Sequence, residues 1–156
     1  MTLNTSKFLD LLQLEYSVAL ELTDYLQQEQ QALTDNHIEL LETLQTHKQA
    51  TLSALQQQAL QRIDWMEQHQ LPLSSECLHS FSSKDAATIS PLWKNLANSY
   101  QQNQQLSARL SEMVLILRHR TQQKINILHG KKNDSGLYNQ SGQASTIGLG
   151  KQSIQA

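Results

Sequence analysis

The sequence predicts an all-α fold: an elongated antiparallel bundle of three long helices, followed by a flexible C-terminal tail. Three observations carry that expectation. Apolar residues recur at alternating steps of three and four along three long stretches, the spacing that lines one face of a helix. Backbone punctuation is scarce, with two prolines and five glycines, and four of those glycines lie after residue 135. Leu and Gln, both good helix formers, dominate, while aromatics make up only 5% of the 156 residues. A chain of this length fits one bundle of moderate core, expected over residues 1–130, with residues 131–156 as the tail.

The first helix is expected over about 5–33. Phe8, Leu11, Leu12, Val18, Ala19, Leu22, Tyr25, Leu26 and Leu33 keep the rhythm, with Glu15 and Glu29 as polar residues on the stripe. Thr5 or Ser6 is placed to cap its start. Thr34-Asp35-Asn36-His37 is rich in turn formers, and Asn36 with Glu39 has capping-box spacing for a second helix over 36–70. Its stripe runs through Ile38, Leu41, Leu44, Leu52, Leu55, Ala59, Ile63 and Met66. A connection this short makes the two helices an antiparallel hairpin. No Gly or Pro stands between Leu33 and Ile38, so one continuous helix also stays open.

Residues 71–90 break the rhythm with Pro72, a run of serines and Lys84-Asp85. They read as a connector, with Leu71, Leu73, Leu78 and Phe81 giving it room for a short helix across the bundle end. The third helix is expected over 91–128, opened by Ser90-Pro91 and closed by His129-Gly130. Its stripe is Trp93, Leu96, Ala97, Tyr100, Leu106, Leu110, Met113, Val114 and Leu117. Beyond a polar linker from Lys131 to Gly136, the tail sets Leu137, Tyr138, Ile147, Leu149 and Ile154 among Gly, Ser and Gln. That mixture is too apolar for a spacer and too glycine-rich for a solitary helix, as in segments that order on a partner.

Charge is divided along the chain. Through Gln70, three Lys/Arg face ten Asp/Glu; from Leu71 onward, nine face four. The basic half has no dense Lys/Arg cluster interleaved with aromatics, which argues against nucleic acid. No stretch approaches the roughly 20 apolar residues that cross a bilayer, so membrane insertion is not expected. The single Cys77 excludes an intramolecular disulfide, and the apolar run from Phe8 to Leu14 is interrupted by Asp10, unlike a secretory leader. A reducing cytoplasm fits.

Catalysis is not indicated. Glu76-x-x-His79 has the spacing that di-iron bundles use, but such sites need two such motifs and further carboxylates. His37, His47, His69, His119 and His129 are scattered without ligand spacing, and Cys77 lacks an evident base partner. No phosphate-binding glycine pattern occurs, and neither metal nor cofactor is expected. Lys48 and Asn103 fall on helix stripes, where a snorkelling lysine or buried amide sets register. Glu15 is expected to pair with a basic residue of the third helix, Arg120 or Lys124.

Several of these residues together resemble a known family. Glu29-x-x-Ala32-Leu33, Leu44-x-x-x-Lys48-x-x-x-Leu52, Asn103-x-x-Leu106 and the tail's Leu137-Tyr138 with Gly142 look, in that order, like the FlgN-type flagellar export chaperones. The resemblance implies a cytoplasmic, non-enzymatic chaperone for the hook–filament junction proteins FlgK and FlgL, delivered to the type III export apparatus. It implies that the C-terminal region engages the client and that Tyr138 docks on the export gate protein FlhA. Asn139 and Ser141 stand where the family usually carries Gly and Asp, and Tyr100 where Asn is common. The expected client surface joins Leu137, Tyr138, Gly142, Ile147, Leu149 and Ile154 to Met113 and Leu117 on the third helix. Arg118, Arg120 and Lys124 form its basic rim. The other reading is a structural coiled-coil or adaptor protein with no export substrate, and a homodimer is compatible with both.

Overall fold

The computed structural model describes the backbone of residues 3–137 and the side chains of residues 3–130. Helices α1 (Thr5–Thr34), α2 (Ile38–Gln68) and α3 (Ser83–Leu137) are joined by a tight turn and by a connector holding a short 3-10 helix, Ser75–Ser80. The fold is all-α, with no strand among the described residues. The chain divides into two units, residues 1–112 and 113–156.

Capping decides the helix boundaries. Asn4, rather than Thr5 or Ser6, accepts the Lys7 amide at the start of α1 (3.0 Å). The break between α1 and α2 is real even without glycine or proline. Asn36 takes φ 61°, its N–H donates to Leu33 O (3.3 Å) and that of His37 to Ala32 O (2.9 Å). These two bonds form a Schellman motif, so Asn36 terminates α1 instead of capping α2. Gln70 repeats the device at the end of α2, with φ 56° and the Leu71 amide bonded to Met66 O at 2.8 Å.

The third helix begins eight residues before the expected Pro91. Ser82 accepts the Asp85 amide through its side chain (3.2 Å), and Thr5 of α1 donates its hydroxyl to Asp85 (3.0 Å). Ile89 is fully buried, so packing rewards the added turns. Pro91 then sits inside the helix, where it withholds one N–H from Ala87; both residues are exposed, so water can satisfy that carbonyl. At the other end α3 continues past Gly130 to Leu137, through the stretch expected to be a linker.

Within the first unit, partner residues fix the directions. Glu29 meets Lys48, Glu21 meets Thr51 and Glu15 meets Arg62, so α1 and α2 are antiparallel. Thr5 meets Asp85, Glu15 meets Tyr100 and Ala19 meets Asn103, so α3 runs parallel to α1. An aromatic cluster closes one end of the core. Phe8 stacks on Trp65 (5.1 Å between centroids) and Phe81 (5.4 Å), with Trp93 tilted against it at 6.3 Å.

Two stripe assignments on α2 shift, and Ile38 at the helix start is 60% exposed. On α2 the inward residues are Leu44, Thr51, Leu55, Trp65 and Met66, while Leu52 is 40% exposed. Each residue advances about 100° around a helix, so with Leu44, Thr51 and Leu55 nearly in line and turned inward, Leu52 stands about 80° away at the margin of the buried face.

Candidate functional site

Among the described residues, two places carry concentrated chemistry. The first is a buried polar network in the first unit. The Glu15 side chain has no exposed surface, and its oxygens accept from Arg62 Nε (2.5 Å), Arg62 Nη2 (3.2 Å) and the Tyr100 hydroxyl. The Arg62 guanidinium also lies over Trp93, 5.6 Å from the ring centroid. Glu15 therefore pairs across to α2, not with Arg120 or Lys124. The parallel register of α1 and α3 puts Glu15 level with Tyr100, well before either basic residue. Sequence reading passed over Arg62, although it stands four residues before Met66 and seven after Leu55, on the inward face of α2.

Asn103 does hold the register position expected of it. Its amide donates to Ala19 O (3.1 Å) and its Oδ1 accepts the Thr23 hydroxyl (2.5 Å), all of it buried. Lys48 reaches Glu29 Oε1 at 2.8 Å with both side chains mostly covered. A carboxylate with two cationic or phenolic partners in a low-dielectric interior locks three helices into one register.

Burial pushes the Tyr100 phenol above its ordinary range, reinforced by its hydrogen bond to Glu15. The native state thus holds a proton that the unfolded chain releases near pH 10. The stabilisation is complete below that pH and is lost as pH rises through the native value. We expect urea midpoints to fall above about pH 10, and Tyr100→Phe to flatten that alkaline limb relative to the unaltered chain. Parallel limbs in the two proteins would contradict the burial.

The one metal-like spacing in the sequence does not form a site. Glu76 and His79 are both exposed on the 3-10 helix, and Cys77 between them is buried, which raises its thiol. Among the described residues no three His, Cys, Asp or Glu side chains gather around one point. None of the described helices is long and apolar enough to cross a membrane.

The second place is on α3 in the second unit. Met113 and Leu117 are half-buried, and Arg120 and Lys124 are exposed on the same face. Beside them Val114, Leu115, Ile116, Ile125, Ile127 and Leu128 are 38–76% exposed. No Asp or Glu lies between Met113 and Gly130, so the surface mixes apolar side chains with cations alone, Arg120 and Lys124 standing in line with Met113 and Leu117. Exposed apolar surface of this kind makes the stretch the candidate interaction site. Leu137 ends α3, its side chain outside the described set; Tyr138, Gly142, Ile147, Leu149 and Ile154 lie outside the described residues altogether.

The described residues thus form an all-α bundle with a buried polar network, and α3 beyond it exposes apolar and basic side chains. The family model described as FlgN protein matches residues 1–146, and the chain belongs to that family, one of flagellar export chaperones. Comparison with curated proteins and with solved structures gives no match.

Proposed function

We propose that this chaperone works in the cytoplasm on hook–filament junction proteins of the FlgK and FlgL type, without catalysis. It keeps them from assembling early and hands them to the export gate. The carrying observation is the exposed face of α3 around Met113, Leu117 and Leu128, which also carries Arg120 and Lys124, with Arg118 beside them. An amphipathic client helix with acidic flanks suits that face, burying leucine-type side chains while its carboxylates meet the guanidinium and ammonium groups. Residues 137–156 then close over the client, with Leu137, Gly142, Ile147, Leu149 and Ile154 contributing contacts. Tyr138 is reserved for an FlhA-like gate protein. Ordering that segment costs free energy, which keeps affinity modest for a client that must be released.

Co-purification with a FlgK-like client tests the reading. Deleting residues 138–156 should abolish capture while leaving helical content and thermal unfolding almost unchanged. Arg120→Glu combined with Lys124→Glu should weaken it and remove its salt dependence. Tyr138→Ala should leave capture intact and reduce secretion. Full capture by the deletion and by the charge-reversed chain would put the client site elsewhere.

A further inference from the structure

Within the first unit a groove lies between α2 and α3, outside the client surface proposed above. Leu52 and Ala59 of α2 line it together with Trp93, Ala97 and Tyr100 of α3. Its two ends hold about 420 Å³ beside Leu52 and about 150 Å³ beside Trp93, and Tyr100 borders both. Leu52 is 40% exposed on its wall, an apolar side chain that the bundle leaves uncovered. The walls hold no carboxylate, since no Asp or Glu occurs over residues 43–63 of α2 or 86–111 of α3. Arg62 lies at one end with its charge already met by Glu15, and Lys94 stands exposed next to Trp93. Gln49 and Gln56 on α2, with Gln101 and Gln104 on α3, add exposed amides. The α1 helix differs, exposing Asp10, Glu21 and Asp24.

We propose that a second helix of the client, apolar along one stripe and acidic beside it, lies in this groove. The inference rests on the client reading above and extends it from α3 after Met113 to the first unit. Charge chooses the occupant. A helix bearing carboxylates meets amides and the Lys94 ammonium here, whereas on α1 it would meet Asp10, Glu21 and Asp24. A cationic helix finds no counter-charge between the walls. The same acidic, leucine-bearing character suits the cations of α3 after Met113, so one client satisfies both surfaces.

Backbone chemistry chooses the form. Both walls are helices whose backbone groups are bonded internally, so an extended segment would cover its own N–H and C=O groups without partners, and a helix brings none unpaired. Ala59 and Ala97 let the helix approach closely between the larger side chains of Leu52, Trp93 and Tyr100. From Gln49 to Arg62 the groove spans about 20 Å, room for about 13 residues at about 1.5 Å per residue. A stripe at i, i+4, i+7 and i+11 fills that length.

Calorimetric titration of the full chain with a FlgK-like client, beside photo-cross-linking from the groove, tests this. Leu52→Glu should weaken client binding about tenfold, the effect of losing one buried leucine and setting a carboxylate in the path of the client's own. Lys94→Glu should weaken it about threefold and reduce its salt dependence. Both positions are exposed, so circular dichroism should match that of the unaltered chain. A benzophenone thiol reagent on Gln56→Cys should join this chain to the client, whereas the same label on Gln13→Cys, on the exposed side of α1, should not. The natural Cys77 is fully buried and stays unlabelled. Unchanged affinity in both groove variants, while Arg120→Glu with Lys124→Glu still weakens capture, would overturn the groove and leave the client reading standing. A cross-link from Gln56→Cys to another copy of this chain in place of the client would also overturn it. No client binding by the unaltered chain would overturn the client reading and this inference together.

Discussion

Replacing Arg62 with leucine should lower the unfolding free energy by about 3–5 kcal/mol, because it leaves a buried carboxylate without its cation. Glu15 is 0% exposed and receives both guanidinium bonds, at 2.5 and 3.2 Å, so water cannot take over when Arg62 is removed. The Tyr100 hydroxyl alone satisfies one lone pair, not the charge. Part of the loss is packing, since the same guanidinium lies over Trp93. Urea unfolding of Arg62→Leu, Glu15→Leu and the double variant separates the contributions. The double variant should recover most of the single loss, because two apolar residues of similar volume often replace a buried ion pair at little cost. A loss under about 1 kcal/mol for Arg62→Leu would be the value of an exposed pair and would reject the buried network.

Phe8→Ala should be comparably severe, at about 3–5 kcal/mol, by opening a cavity at the point where four chain segments meet. Phe8 has no exposed surface and contacts Trp65 from α2, Phe81 from the connector and Trp93 from α3. The surrounding rings are too large and too mutually constrained to collapse into the gap, so the cavity term adds to the lost transfer energy. Thermal unfolding should fall by roughly 10–25 °C for a unit of this size. Near-ultraviolet dichroism from Trp65 and Trp93 should weaken with it. Helical signal lost without any change in the tryptophan environment would mean that Phe8 supports only its own helix.

How much of this was readable beforehand depended on whether a feature is local. The two long hairpin helices were legible because three-four periodicity is written within one segment. Asn103 was legible as a register residue because an amide on an apolar stripe is conspicuous by itself. The break near residue 35 was undecided on paper, since Asn36 carries no Cβ-free advantage and only its left-handed φ, seen in three dimensions, terminates the helix. The start of α3 was misplaced for a related reason. Ser90-Pro91 is a good local opening, but burial of Ile89 and the bond from Thr5 to Asp85 extend the helix upstream past a proline that local preference disfavours. On α3, spacing alone gave Met113 and Leu117 as stripe residues, while Arg120 and Lys124 were expected only as a basic rim of the client surface that the family resemblance implied.

By itself, then, the sequence determined the class of fold, the helical stripes, the apolar-basic character of α3 after Met113 and, through its motifs, membership in the FlgN family. Only the tertiary structure decided which polar residues meet, Glu15 with Arg62 and Tyr100 and not with Arg120 or Lys124, and that Leu52 turns outward. Periodicity tells which face of a helix turns inward, because that depends on one segment's own geometry. It cannot tell what stands opposite, because register between helices is set by the packing of all their side chains at once.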